Sequence, residues 1–457
     1  MTKNNDILLF TIFIYLLSRI IIFNIGIFPD YKILENMWQV LDLNLLKKDF
    51  ISSLYYIHYQ PPLWNFFIGL IVKIFDADYL ILSRVIHYFN LMISVLSIII
   101  FFKLSEILKL SRLQIFISSI LYLILSLSYL FYENYLHYTH LTTLFFLLFI
   151  FNYFRFVENF NTKYEVYIYL TATLLVYTWS AFSHPLFILL IFMTIILIKF
   201  RLNIYRSTII FFLFLIISIL PSIKNKVEFN FFGNSSWVGL QIIQVLQRWD
   251  VHGGTCNMNF DRIYDYEKIY SENNIITNRH PSFVGDLSKW NNIGMIYKTK
   301  KCLKTGIKLV LDDPINYLSI VKFNFISTHG HFAFDHGFKP IGWNKYFSFF
   351  DDIKKNTFLN SVKVRFVQLY YLIIYLFFTF IIIRSLFKIK HVGNYNHGKA
   401  MSSVFLIYLW MIILTHMFAG FEQERMRHIG HFLHILFFSI LAKESFNLIR
   451  LFKTGSK

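Results

Sequence analysis

Apolar residues in this 457-residue chain come in long runs broken by short polar stretches, and many of the runs have membrane-crossing length. About 17–25 largely apolar residues are enough to cross the hydrocarbon layer as a helix. By that measure spans are expected at 7–28, 79–102, 113–131, 138–155, 166–182, 184–199, 207–223, 366–387, 401–418 and 428–449, ten in all. The stretch 166–199 reads as two helices joined at Ser183-His184-Pro185, because its 34 residues would otherwise make a helix about 50 Å long. The first run is long and lacks a small-residue cleavage site, so it reads as an uncleaved anchor. The pattern therefore predicts an all-α polytopic membrane protein. Its parts are an N-terminal transmembrane module (1–223) whose first polar loop spans 29–78, a polar segment of mixed structure (224–365), and closing transmembrane helices (366–457).

Composition agrees. Hydrophobic residues make up 56% of the chain and charged residues 15%, against about 45–50% and about 25% in soluble domains. That excludes an ordinary soluble protein, and long apolar runs exclude a disordered chain. The 44 Lys+Arg against 26 Asp+Glu give a formal charge of +18. These cations sit mostly beside the spans, so they signal orientation rather than a nucleic-acid partner. Lys3, Lys103, Lys109, Arg112, Arg155, Lys163, Lys199, Arg201, Arg206, Arg384, Lys388, Lys390, Lys399, Lys443, Arg450, Lys453 and Lys457 fall on one side, whereas connections 132–137 and 183–184 carry no Lys or Arg. Both termini are thus expected in the cytoplasm, with 29–78 and 224–365 outside. No retention signal is visible, which favours a cell (inner) membrane.

Several residues could carry chemistry, each with a plainer reading beside it. Asp30 stands just after the first span in Phe28-Pro29-Asp30-Tyr31; an acid at the membrane boundary can act as a base, or simply cap the helix expected over Lys32 to Val40. Pro61-Pro62 suits the first turn of a helix over Leu63 to Phe75. Arg19, inside the first span, is costly in lipid and should face the bundle, where it binds a lipid phosphate or pairs with a buried acid; Arg84 and His87 share that ambiguity. Glu424, Arg427, His431 and His434 recur at helical spacing on one face of the last span, pointing to a cavity or to structural pairing. His329, His331, Asp335 and His336 lie within eight residues and are the candidates for a divalent metal, with acceptor recognition or no site at all as alternatives. Glu133-Asn134 and His137-Tyr138-Thr139-His140 either line a channel or belong to an interfacial belt. The basic stretch Lys298 to Lys308 would attract anionic headgroups or form a solvated helix face. Cys256 and Cys302 could close a disulfide, or stay unpaired. Asn234-Ser235-Ser236 is a sequon by pattern only.

Taken together, the acid after the first span, the interfacial stretch, "HYQPPLWNFFIGLIVKIF" and the late "FEQERMRHIGHFLHILFF" resemble the C-type (GT-C) superfamily of integral-membrane glycosyltransferases. Within it the likeness is to the family 39-like group of protein O-mannosyltransferases and lipid A aminoarabinose transferases. The order of spans, short loops and one large outer segment fits as well. Two departures stand out: the family's acidic pair is here Asp30-Tyr31, with Glu35 the nearest second carboxylate, and the usual late proline is replaced by His428-Ile429.

The resemblance implies transfer of a sugar from a polyprenyl phosphate to a hydroxyl of a lipid, glycan or protein acceptor on the outer face, with inversion. Asp30 would be the base, Arg425 and Arg427 would face the leaving phosphate, and His58 and Gln60 would sit near the sugar. A transporter or flippase of lipid-linked sugars, a diphosphate-lipid polymerase or ligase, and a non-enzymatic scaffold remain alternatives. For the scaffold, Asp30 should tolerate Ala.

Overall fold

The computed structural model describes residues 5–37, 39–124, 126–182, 185–199, 204–247, 291, 293–328, 339–386, 395–418 and 423–454. Among them the chain is helical, without a strand; one antiparallel bridge joins Phe28 to Ile341.

The first long helix, α1 (Asn5–Asn24), is followed by three short ones, α2 (Tyr31–Asn36), α3 (Leu43–Lys48) and α4 (Phe50–Tyr55). Sequence alone suggested one helix over Lys32 to Val40; the correction has a local cause. Asp30, Asp42 and Asp49 each accept a backbone N–H at the start of the next short helix, at 3.0, 2.8 and 3.3 Å, and each capped start ends what precedes it. Then come α5 (Leu63–Phe75), as expected, and α6 (Tyr79–Ile107), capped by Asp78. Helix α7 (Arg112–Ser119) runs through a π turn (Ile120–Ile124) into α8 (Leu127–Asn134), and the pair is bent by 45°. Next are α9 (Thr139–Asn159), α10 (Thr162–Thr178), α11 (Pro185–Lys199) and α12 (Ile204–Phe229), so 166–199 is indeed two helices. The second long polar segment is helical in its described residues rather than mixed: α13 (Val238–Gln247), α14 (Ile293–Asp312), α15 (Pro314–Thr328) and α16 (Trp343–Lys355). Helices α17 (Thr357–Leu386), α18 (Tyr395–Phe418) and α19 (Gln423–Thr454) close the chain.

Every expected span falls on a helix, but the count of ten is not reached by length and apolarity. Among the described residues four helices, α1, α6, α9 and α12, are long and apolar enough to cross a membrane, or five if bent α7–α8 is one span. Among the described residues α11, α18 and α19 carry shorter apolar stretches, Pro185–Ile198, Ala400–Ile413 and His428–Lys443.

One core runs through the bundle, from Tyr15 on α1 through Phe101, Tyr122, Phe146 and Tyr153 to Tyr408 and Phe432 near the end of the chain. Helix α12 tolerates Pro221 in its interior because the carbonyl that loses its N–H partner, Ile217 O, accepts instead from Tyr177 Oη at 2.8 Å. A second, smaller core holds α13, α14 and α15 together. There Gly239 and Gly306 let two helices approach closely: a Cβ on Gly239 would collide with the Thr299 carbonyl, and one on Gly306 with Ile242. The bridge at Ile341 leads into Gly342, whose φ of +75° and close approach to Gly26 O admit no side chain. Tyr346 Oη donates to Ile25 O at 2.7 Å beside it. The link between α1 and Asp30 is thereby pinned by the second polar segment.

Candidate functional site

At the end of the bundle where α12 finishes, the loop 56–60 between α4 and α5 is irregular, so its carbonyls need partners from elsewhere. The second polar segment and α12 supply them. Tyr56 O accepts from Asn291 Nδ2 at 3.3 Å, Ile57 O from Lys224 Nζ, His58 O from Ser236 N at 2.9 Å and Tyr59 O from Ser235 Oγ at 2.6 Å. His58 is fully buried, with Nδ1 2.9 Å from Ser236 Oγ and its own N–H donated to Asn291 Oδ1 at 3.0 Å. Burial, and then the Lys224 ammonium, hold its pKa well below the ordinary 6.5, so the ring is neutral.

Beneath this strap lies a cavity of about 230 Å³, lined by Tyr55, Ile57, Gln60, Leu220, Lys224 and Asn225 among others. Its polar groups are incompletely used. Asn225 donates Nδ2 to Gly233 O at 2.6 Å, which leaves Oδ1 without a partner among the described residues. Asn234 accepts from Ser222 Oγ, leaving Nδ2, and Gln60 Oε1 is in the same state. Each such buried atom costs about 1–3 kcal/mol. Three such atoms lie on residues that border one cavity beside a lysine. Asn234 is itself buried at 3% exposure, so the sequon is no accessible glycosylation site here.

A second polar cluster joins the first polar segment to the start of α19. Gln39 bonds His137 Nε2 through Oε1, and Arg425 Nη1 lies 3.2 Å from the same ring nitrogen and 3.4 Å from Tyr138 Oη. Asn65 holds this segment in place, accepting from Leu41 N at 2.8 Å and donating to Gln39 O at 3.0 Å. Gln39 Nε2 and Trp64 Nε1 point into the cluster's buried surroundings with no partner among the described residues.

Deeper in the bundle is a larger network centred on Glu133. Arg19 makes a forked pair with Glu133, Nε to Oε2 at 2.6 Å and Nη2 to Oε1 at 3.0 Å. Tyr15 Oη and Ser94 Oγ add bonds to Oε1 at 2.9 and 2.7 Å. Ser94 Oγ continues to His140 Nε2 at 2.9 Å, His140 Nδ1 lies 3.5 Å from His428 Nε2, and His428 Nδ1 meets Ser128 Oγ at 2.7 Å. His428 also stacks on Tyr132, with ring centres 4.3 Å apart.

The expected site residues separate accordingly. Asp30 is half-buried and caps α2, while Glu35 on the same helix is exposed. Gln60 lines the cavity, whereas His58 is buried beside it against Ser236 and Asn291, and Arg425 approaches the first polar segment at His137. Of the two readings of Arg19, the structure shows the pairing with a buried acid. Arg84 is exposed on α6, and His87 approaches the Glu133 carbonyl at 3.4 Å. The buried side of α19 runs through Arg425 and His428, one turn apart, and His431 lies against Tyr122. His434, also buried, bonds Tyr408 Oη at 3.0 Å; the side chains of Glu424 and Arg427, the other half of the expected face, lie outside the described residues. So do His329, His331, Asp335 and His336, the metal candidates. Cys302 is buried and disulfide-bonded, and Cys256 lies outside the described residues. Sequence reasoning missed Gln39, Lys224, Asn225 and His428. Uncharged amides carry no periodic signal, and a lysine at the end of a span reads as an interfacial anchor. No family model, curated protein or solved structure matches this chain.

Proposed function

We propose that the chain is a polyprenyl-phosphate-sugar-dependent glycosyltransferase of the cell membrane, working on the extracytoplasmic face with inversion. The observation that carries this reading is the meeting of distant segments: Arg425 of the late motif lies 3.2 Å from His137 Nε2, the ring nitrogen that bonds Gln39 of the first polar segment. In the reaction the acceptor oxygen attacks the anomeric carbon, the bond to the phosphate oxygen breaks, and its electron pair leaves with the lipid phosphate. The proton of the acceptor hydroxyl passes to the Asp30 carboxylate. A guanidinium always carries its charge, so Arg425 stabilises the negative charge that grows on the departing phosphate. The cavity beside Gln60 and Lys224 offers hydrogen-bond donors and acceptors to a hydroxyl-rich group.

The test is donor consumption in proteoliposomes, following release of free polyprenyl phosphate from a panel of synthetic polyprenyl-phosphate sugars. Asp30→Asn is expected to lower turnover by about 10²-fold or more, the scale of a lost general base. Equal turnover in both proteins overturns the role of Asp30. Consumption of no donor by folded wild type overturns the reading and favours a transporter of lipid-linked sugars or an enzyme using diphosphate lipids.

A further inference from the structure

Helices α14 and α15 pack on α13 with one side and leave a composite surface on the other. Met295, Thr299, Cys302 and Gly306 face the small core. At about 100° per residue, Lys301, Lys304 and Lys308 fall within about 60° of one another on the opposite side, and all three are exposed. Next to this strip runs an exposed apolar one: Ile307 (47%), Leu311 (74%) and, continuing on α15, Ile315 (80%) and Leu318 (60%). Two bonds fix the height of these helices. Lys300 Nζ donates to Phe229 O, the last residue of α12, at 3.2 Å. Tyr317 Oη donates to Met417 O in the last turn of α18 at 2.6 Å. Both tie the pair to the ends of apolar helices, α12 and α18. An apolar strip at that level beside three cations matches the boundary of a bilayer, with acyl chains against the leucines and isoleucines and anionic headgroups against the ammonium groups. The exposed acids Asp312 and Asp313 stand at the joint between the helices, at the far end of the lysine strip, and Asp313 caps α15 through Asn316 N at 3.0 Å.

We infer that the α14–α15 pair is an interfacial platform that binds the headgroups of anionic phospholipids in the same bilayer, through Lys301, Lys304 and Lys308. The inference is independent of the reaction proposed above. Its test uses the full chain in nanodiscs of equimolar phosphatidylglycerol and phosphatidylcholine, with the lipids retained on the released protein counted by native mass spectrometry. Wild type is expected to retain phosphatidylglycerol in preference. Neutralising the strip, Lys301→Gln with Lys304→Gln and Lys308→Gln, is expected to weaken that preference by about fivefold per lysine, about a hundredfold in all. In 1 M salt, where screening acts within about 3 Å, wild type should lose most of it too; that arm needs no variant to fold. Retention of both lipids alike by wild type, or an unchanged preference in the triple variant or in 1 M salt, overturns the inference.

Discussion

Two polar regions in this bundle are comparably buried and differ in what their atoms do. In the network around Glu133 both carboxylate oxygens are bonded, to Arg19, Tyr15 and Ser94, and the chain of bonds continues through His140 and His428 to Ser128. It draws α1, α6, α8, α9 and α19 together. At the rim, Gln60, Asn225 and Asn234 each keep a polar atom unused beside a cavity. A carboxylate with both oxygens bonded is spent on holding helices together, whereas the rim amides leave bonding capacity unused. Burial of polar residues alone therefore does not mark a site.

The largest effect that would break this contrast is at Glu133. Glu133→Gln leaves Arg19 buried without its counter-charge and is expected to cost about 3–5 kcal/mol, read as a lowered unfolding midpoint in denaturant. Arg19→Met with Glu133→Leu should recover most of that loss, since an apolar pair needs no compensation. Next is Gly239→Ala, whose Cβ meets the Thr299 backbone. It should loosen the α13–α14 packing by about 1–3 kcal/mol, visible as faster hydrogen exchange in 293–312. Gln60→Met removes an unused acceptor of similar shape, so the empty protein should be as stable as wild type or slightly more so. Turnover of the polyprenyl-phosphate donor should drop several-fold, the worth of one hydrogen bond of about 0.5–1.5 kcal/mol.

The smallest effect is pH-dependent and comes from His58. Its folded pKa lies below the ordinary 6.5, so below that pH the unfolded chain takes up a proton that the folded one refuses. Stability is then fully present above about pH 6.5 and falls as the pH drops towards the folded pKa. His58→Gln should flatten that slope in a denaturation series between pH 7 and 5.

Much of the fold was legible because its causes are local. The Leu63–Phe75 helix follows from an apolar run behind Pro61-Pro62, and Asp78 announces the start of α6. The break of 29–62 into short helices was also written in Asp42 and Asp49, but capping competes with an amphipathic pattern that continues past them. That Arg19 needs a partner follows from a charge within an apolar run. Which acid it takes does not, because Glu133 is 114 residues away and only the packing of α1 against α6, α7 and the π turn brings them together. On α19 the inward packing of Ile429, Phe432 and Leu433 brings Arg425 and His428 with it, and His428 carries no charge pattern that would have singled it out. The rim cavity needs three segments at once, so no stretch of sequence contains it.

The most direct test of the division between holding and binding is the unfolding temperature of wild type, Glu133→Gln and Gln60→Met, each with and without a polyprenyl-phosphate sugar, since a ligand of the folded state raises that temperature. The expected result is a low starting value for Glu133→Gln with the ligand-induced rise intact, and a wild-type starting value for Gln60→Met with a smaller rise. A rise undiminished in Gln60→Met but lost in Glu133→Gln would contradict it and place the ligand in the interior of the bundle.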